Sequence, residues 1–128
     1  MISTKIIKGT LEKYIQLVDA SDIDGIIALY ADNATVEDPV GTEPYVGIEA
    51  IDAFYRNGLG QMKVNAELTG QVRTTTANEG AMPFVVRAVT EEGTMIINVI
   101  DVMKFNDEGK IISMKAYWSY EDNVETGA

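Results

Sequence analysis

The spacing of apolar residues changes once, around Gly58–Gly60, and that change limits the fold more than any other feature. Before it, apolar residues recur at helical intervals; after it they alternate. Ile7, Leu11, Tyr14, Ile15 and Val18 share one face of a helix over about residues 4–20, with Lys8, Glu12, Lys13 and Asp19 elsewhere. Gly9 is a local conflict in that helix. Ser21-Asp22-Ile23-Asp24 offers capping residues for a short second helix whose face is Ile23, Ile26, Ile27 and Tyr30. Ala34–Asp38 reads as a strand and Gly41–Pro44 as a loop. A third helix runs over about Gly47–Asn57, with Ile48, Ile51, Phe54 and Tyr55 inward and Gly58 and Gly60 as its stop.

Beyond Gly60 the alternation predicts strands over about 62–69, 71–77, 81–90, 94–105 and 110–118. Asn78-Glu79-Gly80, Glu91-Glu92-Gly93 and Asn106-Asp107-Glu108-Gly109 form the turns, each ending in a glycine that tolerates positive φ. Helices first and an antiparallel meander afterwards predict an α+β fold, with residues 1–128 as one domain. The polar segment from Ser119 is expected to fray.

Composition narrows the chemistry. The 128 residues include no cysteine and no histidine, so thiolate nucleophiles, disulfides, sulfur metal sites and the commonest general base are all missing. Acid–base work near neutral pH falls to carboxylates, tyrosines and lysines. A net charge of −10 disfavours nucleic acid and anionic membrane as partners. Charges break up the first residues, so no signal peptide is expected, and no apolar run approaches a membrane span; a cytoplasmic protein is the expectation.

Two carboxylates stand out. In Val36-Glu37-Asp38-Pro39-Val40-Gly41, Pro39 pushes Asp38 out of helical geometry and places it where a strand meets a stiff turn. Asp38 there is either a turn initiator or a positioned base. Asp101 falls in the inward series Met95, Ile97, Val99, Asp101, Met103, Phe105, opposite Ile96, Asn98, Ile100, Val102 and Lys104. A carboxyl on so apolar a face resists ionisation and, kept neutral, donates a hydrogen bond. Its alternative is a buried aspartate paired with a backbone or tyrosine group and doing no chemistry. Flanking strands present Met82, Phe84 and Val86, and Ile112, Met114, Ala116 and Trp118, to the same side. Together these could line a flat apolar pocket for a rigid hydrophobic ligand.

These residues carry a resemblance. Ala31–Gly41 resembles the catalytic-base segment of bacterial Δ5-3-ketosteroid isomerases, Val99–Phe105 their acid-bearing strand, and Met114–Ser119 their last strand. Glu12-Lys13-Tyr14-Ile15 resembles the helix with their oxyanion tyrosine, and Phe54-Tyr55-Arg56 and Gly80–Phe84 also fit. The likeness runs from about residue 10 to 119. It implies a cone-shaped curved, mixed or antiparallel sheet wrapped by three N-terminal helices, as in nuclear transport factor 2. It also implies a homodimer, a small-molecule steroid substrate and no cofactor or metal.

By the same resemblance Asp38 is the base, Tyr14 and protonated Asp101 are the oxyanion donors, and Tyr55 and Tyr30 stand behind Tyr14. The resemblance places Val18, Phe54, Val64, Met82 and Phe84 around the substrate, with Ile97, Val99, Met114 and Trp118. Ketosteroid isomerase is itself a standard example of a carboxylic acid kept neutral by an apolar site. The implied reaction moves the double bond of a 3-oxo-Δ5-steroid to the conjugated Δ4 position.

Two other functions stay open. One is a non-catalytic binding module for a flat apolar ligand on the same cone. The other is a relative such as an epoxide hydrolase or dehydratase. Hydrolysis commonly uses an Asp–Arg–Asp set, yet Arg56, Arg73 and Arg87 all fall off the face that carries Asp101. A histidine-dependent dehydration is excluded by composition.

Overall fold

The fold comes from a computed structural model that describes residues 1–127. Ser3 starts helix α1 (Thr4–Asp19) by accepting the Ile6 N–H, and Ile7, Leu11, Tyr14, Ile15 and Val18 form its buried face. Asp22 caps α2 (Ile23–Ile27) in the same way, through the Gly25 N–H. That helix stops three residues short of Tyr30, which opens strand β1 (Tyr30–Glu37) rather than extending the helical face. Five residues are too few to hold a helix alone. The sheet takes the chain instead, with the Ile111 N–H bonded to the Leu29 carbonyl at 2.9 Å.

β1 is followed by β2 (Tyr45–Val46), α3 (Ile48–Asn57) and a 3₁₀ turn at Leu59–Gln61. The long strands are β3 (Lys63–Leu68), β5 (Glu79–Thr90), β6 (Gly93–Phe105) and β7 (Ile111–Tyr117). Their order is β2-β1-β7-β6-β5-β3, antiparallel except where β1 runs parallel to β7. The three helices pack against this open, mixed sheet, giving the α+β cone expected. The core between the layers includes Ile7, Leu11, Ile26, Ile51, Met103 and Ile111. Each such side chain contributes about 1.5–3 kcal/mol by leaving water.

Four local expectations fail, for identifiable reasons. Within 71–77 only β4 (Arg73–Thr74) pairs, against the start of β5. The turn before β5 uses Asn78 for its positive φ of 60°, not Gly80. Gly80 serves another purpose: a Cβ there would lie 2.7 Å from both Ile7 Cγ2 and Leu11 Cδ1, so its bareness lets α1 sit down on β5. A register shift in the β6–β7 ladder between Lys104 and Phe105 turns Ile112 outward, 36% exposed, and buries Ile111 instead. Finally, the segment after Ser119 is ordered. It forms a helical turn, α4 (Tyr120–Asn123), and a strand, β8 (Val124–Gly127), whose ladder to β6 pairs Thr94–Ile97. No helix among the described residues is long and apolar enough to cross a membrane.

Candidate active site

The layers part around a cavity of about 260 Å³, walled by α1, α3, the 3₁₀ turn and the inner faces of β3, β5 and β6. Almost all of its lining is apolar. The exceptions are Asp38, Asp101, Tyr14 and Tyr55, with the Trp118 indole beside Asp38.

Tyr14 reaches the cavity from the buried face of α1, and Tyr55 meets it from α3, with the two hydroxyl oxygens 2.8 Å apart. The Tyr30 hydroxyl lies 2.7 Å from that of Tyr55, behind the cavity wall. Burial raises the pKa of all three phenols well above the ordinary value, and the charge of Asp38 adds to the rise for Tyr14 and Tyr30. They are therefore neutral. A hydroxyl has one proton to give, so a chain in which Tyr30 donates to Tyr55 and Tyr55 to Tyr14 leaves the Tyr14 proton facing the cavity.

Asp38 directly follows β1, and main-chain bonds fix the chain on both sides of it. Glu37 pairs with Lys115 of β7, and the Val40 N–H donates to the Ala116 carbonyl at 2.8 Å. The Asp38–Pro39 peptide is cis. Beyond it, the Thr42 hydroxyl donates to the Pro39 carbonyl at 2.8 Å and the Gly41 N–H to Glu37 Oε2 at 2.8 Å. Asp38 is half-buried, and Trp118 Nε1–H donates to its Oδ1 at 2.7 Å. Desolvation raises its pKa and the indole hydrogen bond partly offsets the rise.

Asp101 sits mid-strand in β6, opposite Met82 of β5 and Ala116 of β7, both buried. It is 2% exposed, the one charged type in the core among the described residues. Its pKa is raised well above the carboxylate range, first by desolvation and then by the charge of Asp38. The two carboxyl groups thus share one cavity in different surroundings: a half-buried group held by an indole donor, and a buried group whose carboxyl is pushed toward its protonated form.

Of the other expected residues, Val18, Phe54, Val64, Phe84, Ile97, Val99 and Trp118 line the cavity. Met82 and Met114 do not: at 0% and 1% exposure they are core beneath the floor, flanking Asp101 and Met103 in the ladder. Val86, placed on the pocket side by alternation, also lines it, whereas Gly58, Leu59, Met62, Ala88 and Met95 were missed as lining. Ala88 and Met95 continue the alternations already seen in β5 and β6, so a signal existed for them. Leu59 opens a 3₁₀ turn and Met62 follows it, where no period applies. The Trp118–Asp38 bond has no sequence signal.

The three arginines stay outside. Arg56 pairs with Asp52 and Asp24, Arg87 with Glu67 at 3.0 Å, and Arg73 donates to the Gln71 carbonyl at 2.6 Å.

Residues 11–114 match the model of the SnoaL-like domain family. A steroid Delta-isomerase of Nocardioides simplex is 37% identical over 95% of this chain and 97% of its own length. The epoxide hydrolase LasB of Streptomyces lasalocidi is 27% identical over 89% of this chain, but the match spans only 42% of LasB. Among solved structures, the epoxide hydrolase/cyclase-like enzyme SalBIII, of pyran ring formation in the polyether salinomycin, superposes with a TM-score of 0.85. It is 26% identical and the match covers 94% of this chain and 95% of SalBIII. The same fold therefore carries more than one activity among these relatives; the isomerase and SalBIII both match over nearly their full length, and of the two the isomerase shares the higher identity. With that relative and a family model spanning most of its length, the chain belongs to the steroid Delta-isomerase family, built on a SnoaL-like domain, and is an isomerase.

Proposed function

We propose that the protein converts 3-oxo-Δ5-steroids to their conjugated Δ4 isomers, with Asp38 as base and Tyr14 and neutral Asp101 as donors to the 3-oxygen. The observation that carries this reading is the wall: one apolar cavity presents a half-buried carboxylate, a buried neutral carboxylic acid and the end of a tyrosine relay.

Ionised Asp38 removes the proton from C4. The C4–H electron pair forms the C3–C4 double bond while the C3 carbonyl pair moves onto oxygen, giving a dienolate. The Tyr14 hydroxyl and the Asp101 carboxyl donate hydrogen bonds to that oxygen as its charge grows. Both sit on regular elements, so little reorganises when the charge appears. Protonated Asp38 then returns the same proton to C6, the carbonyl re-forms and the C=C lies at C4–C5. Atoms and charge balance within the substrate, and no water takes part. The Trp118 N–H holds Asp38 ionised and fixes one of its oxygens.

The epoxide-opening relatives favour a second reading, in which neutral Asp101 protonates an epoxide oxygen. The cavity wall opposes it, because no arginine lies there and its polar groups, Asp38, Asp101, Tyr14, Tyr55 and the Trp118 indole, are those the isomerisation uses. A second copy of the chain is proposed to cover the outer sheet face, where Ile100, Ile112 and Tyr117 are 47%, 36% and 48% exposed; sedimentation equilibrium reading a monomer would oppose it.

The test is enone absorbance on mixing purified protein with an unconjugated 3-oxo-Δ5-steroid, without metal or nucleotide. Growth of the conjugated product is expected. Steroid binding with no turnover would instead favour a binding module, and opening of an aliphatic epoxide would favour the second reading.

A further inference from the structure

Trp118 lies one residue past the end of β7, so the strand that carries it no longer holds it. The next residues form a closely bonded turn. Ser119 caps α4 reciprocally: its hydroxyl accepts the Asp122 N–H at 3.2 Å, its N–H donates to Asn123 Oδ1 at 2.9 Å, and its carbonyl accepts the Asn123 N–H at 2.9 Å. The first residue of that turn, Tyr120, sets its ring edge-on to the Trp118 indole, with centroids 5.4 Å apart and an interplanar angle of 63°. Tyr120 is 69% exposed, so core packing does not account for an aromatic there. β8 then runs antiparallel along the near half of β6, pairing Ile97 with Val124 and Met95 with Thr126. Ile97 and Met95 are cavity wall.

From this arrangement we infer that residues 119–127 are a strap that positions Trp118, and through it Asp38, with Tyr120 as the positioning residue and β8 as the anchor. The inference rests on the proposed role of Asp38 as base. Two orientations of the indole matter chemically: with its N–H on Asp38 Oδ1 the carboxylate is stabilised and aimed, and with the ring swung away it is neither. The strap limits the indole to the first by closing one side of it with the Tyr120 ring, and the ladder to β6 keeps that ring in place. Tyr120 touches no substrate and acts only through Trp118.

The protein contains a single tryptophan, so its fluorescence reports this residue alone. The test compares wild type, Tyr120→Ala, Tyr120→Phe and a Val124→Pro/Glu125→Pro pair, at least one of which removes a ladder N–H. For Tyr120→Ala and the proline pair, Trp118 emission is expected to shift to the red and acrylamide quenching to rise. In Tyr120→Ala the acid limb of kcat/KM should move to higher pH by about half a unit, as Asp38 loses part of its donor. Its kcat should fall about three- to tenfold with KM held, a fraction of the loss expected when a charge-assisted hydrogen bond disappears. Tyr120→Phe, which keeps the ring, should match wild type in every readout.

Unchanged emission, quenching and acid limb in both Tyr120→Ala and the proline pair would overturn the strap. So would a Tyr120→Phe variant as impaired as Tyr120→Ala. A wild-type protein that leaves steroid unchanged would instead refute the activity, while the emission readouts still decide whether the strap holds Trp118.

Discussion

The two carboxylates differ in how the chain surrounds them, and that difference supports the separate roles proposed for them. Asp38 lies where a strand runs out, half-buried, with main-chain bonds on either side and an indole N–H on one oxygen. Asp101 lies mid-strand between Met82 and Ala116, almost wholly out of solvent. Burial raises both pKa values, but only Asp38 has a donor that offsets the rise. Ionising Asp38 also makes Asp101 harder to ionise, since its charge is the second cause of the Asp101 shift. Both effects favour the charge on Asp38 and the proton on Asp101, the division the proposed reaction needs. In the proposed reaction two like residues of one cavity serve as base and acid because one sits at the end of a strand and the other in its middle.

Substitutions should separate the pair most at Asp38. Asp38→Asn keeps the shape and removes the base, so kcat should fall about 10²- to 10⁴-fold in the absorbance assay with steroid binding retained. Near-normal turnover would show that the base lies elsewhere. At Asp101 the decisive property is the ability to donate. Asp101→Leu should lower kcat about 10²- to 10³-fold, the usual loss for an oxyanion donor. Asp101→Asn, whose amide still donates, should stay much closer to wild type. Equal losses in the two variants would remove the neutral-donor role.

The smallest effect expected is on stability. A carboxyl whose folded pKa is raised holds its proton in the folded state at pH values where the unfolded chain has lost it. Its contribution is fully present below the ordinary carboxylate pKa and declines as pH rises toward the folded value. The decline is up to about 1.4 kcal/mol per pH unit for one group. Denaturant melts of wild type should therefore weaken from mildly acid to neutral pH, and Asp101→Asn should flatten that slope. A slope unchanged by the substitution would mean that Asp101 titrates normally.

Asp101 was legible in the sequence because alternation along a strand fixes the side each residue faces, and one aspartate fell among Val99, Met103 and Phe105. The buried faces of α1 and α3 were legible for the same kind of reason. The features that escaped the sequence were set by pairing between distant segments. Tyr30 looked like the end of a helix face until β7 captured the chain at Ile111. Ile112 changed sides because of one register shift against β6. Met82 and Met114 share the parity of the cavity wall, but lie where the layers are closed rather than parted. The ordered segment after Ser119 is polar because β8 is a largely exposed edge strand, and polarity alone suggested fraying.

The proposed reaction requires the two carboxyl groups of the free protein to hold different protonation states at neutral pH. Carbon-13 NMR of protein labelled at the aspartate carboxyl, assigned with Asp38→Asn and Asp101→Asn, measures this directly. The Asp101 resonance is expected to stay protonated through neutral pH and the Asp38 resonance to ionise in the acid range, above the usual aspartate value. An Asp101 resonance already ionised at neutral pH would contradict it.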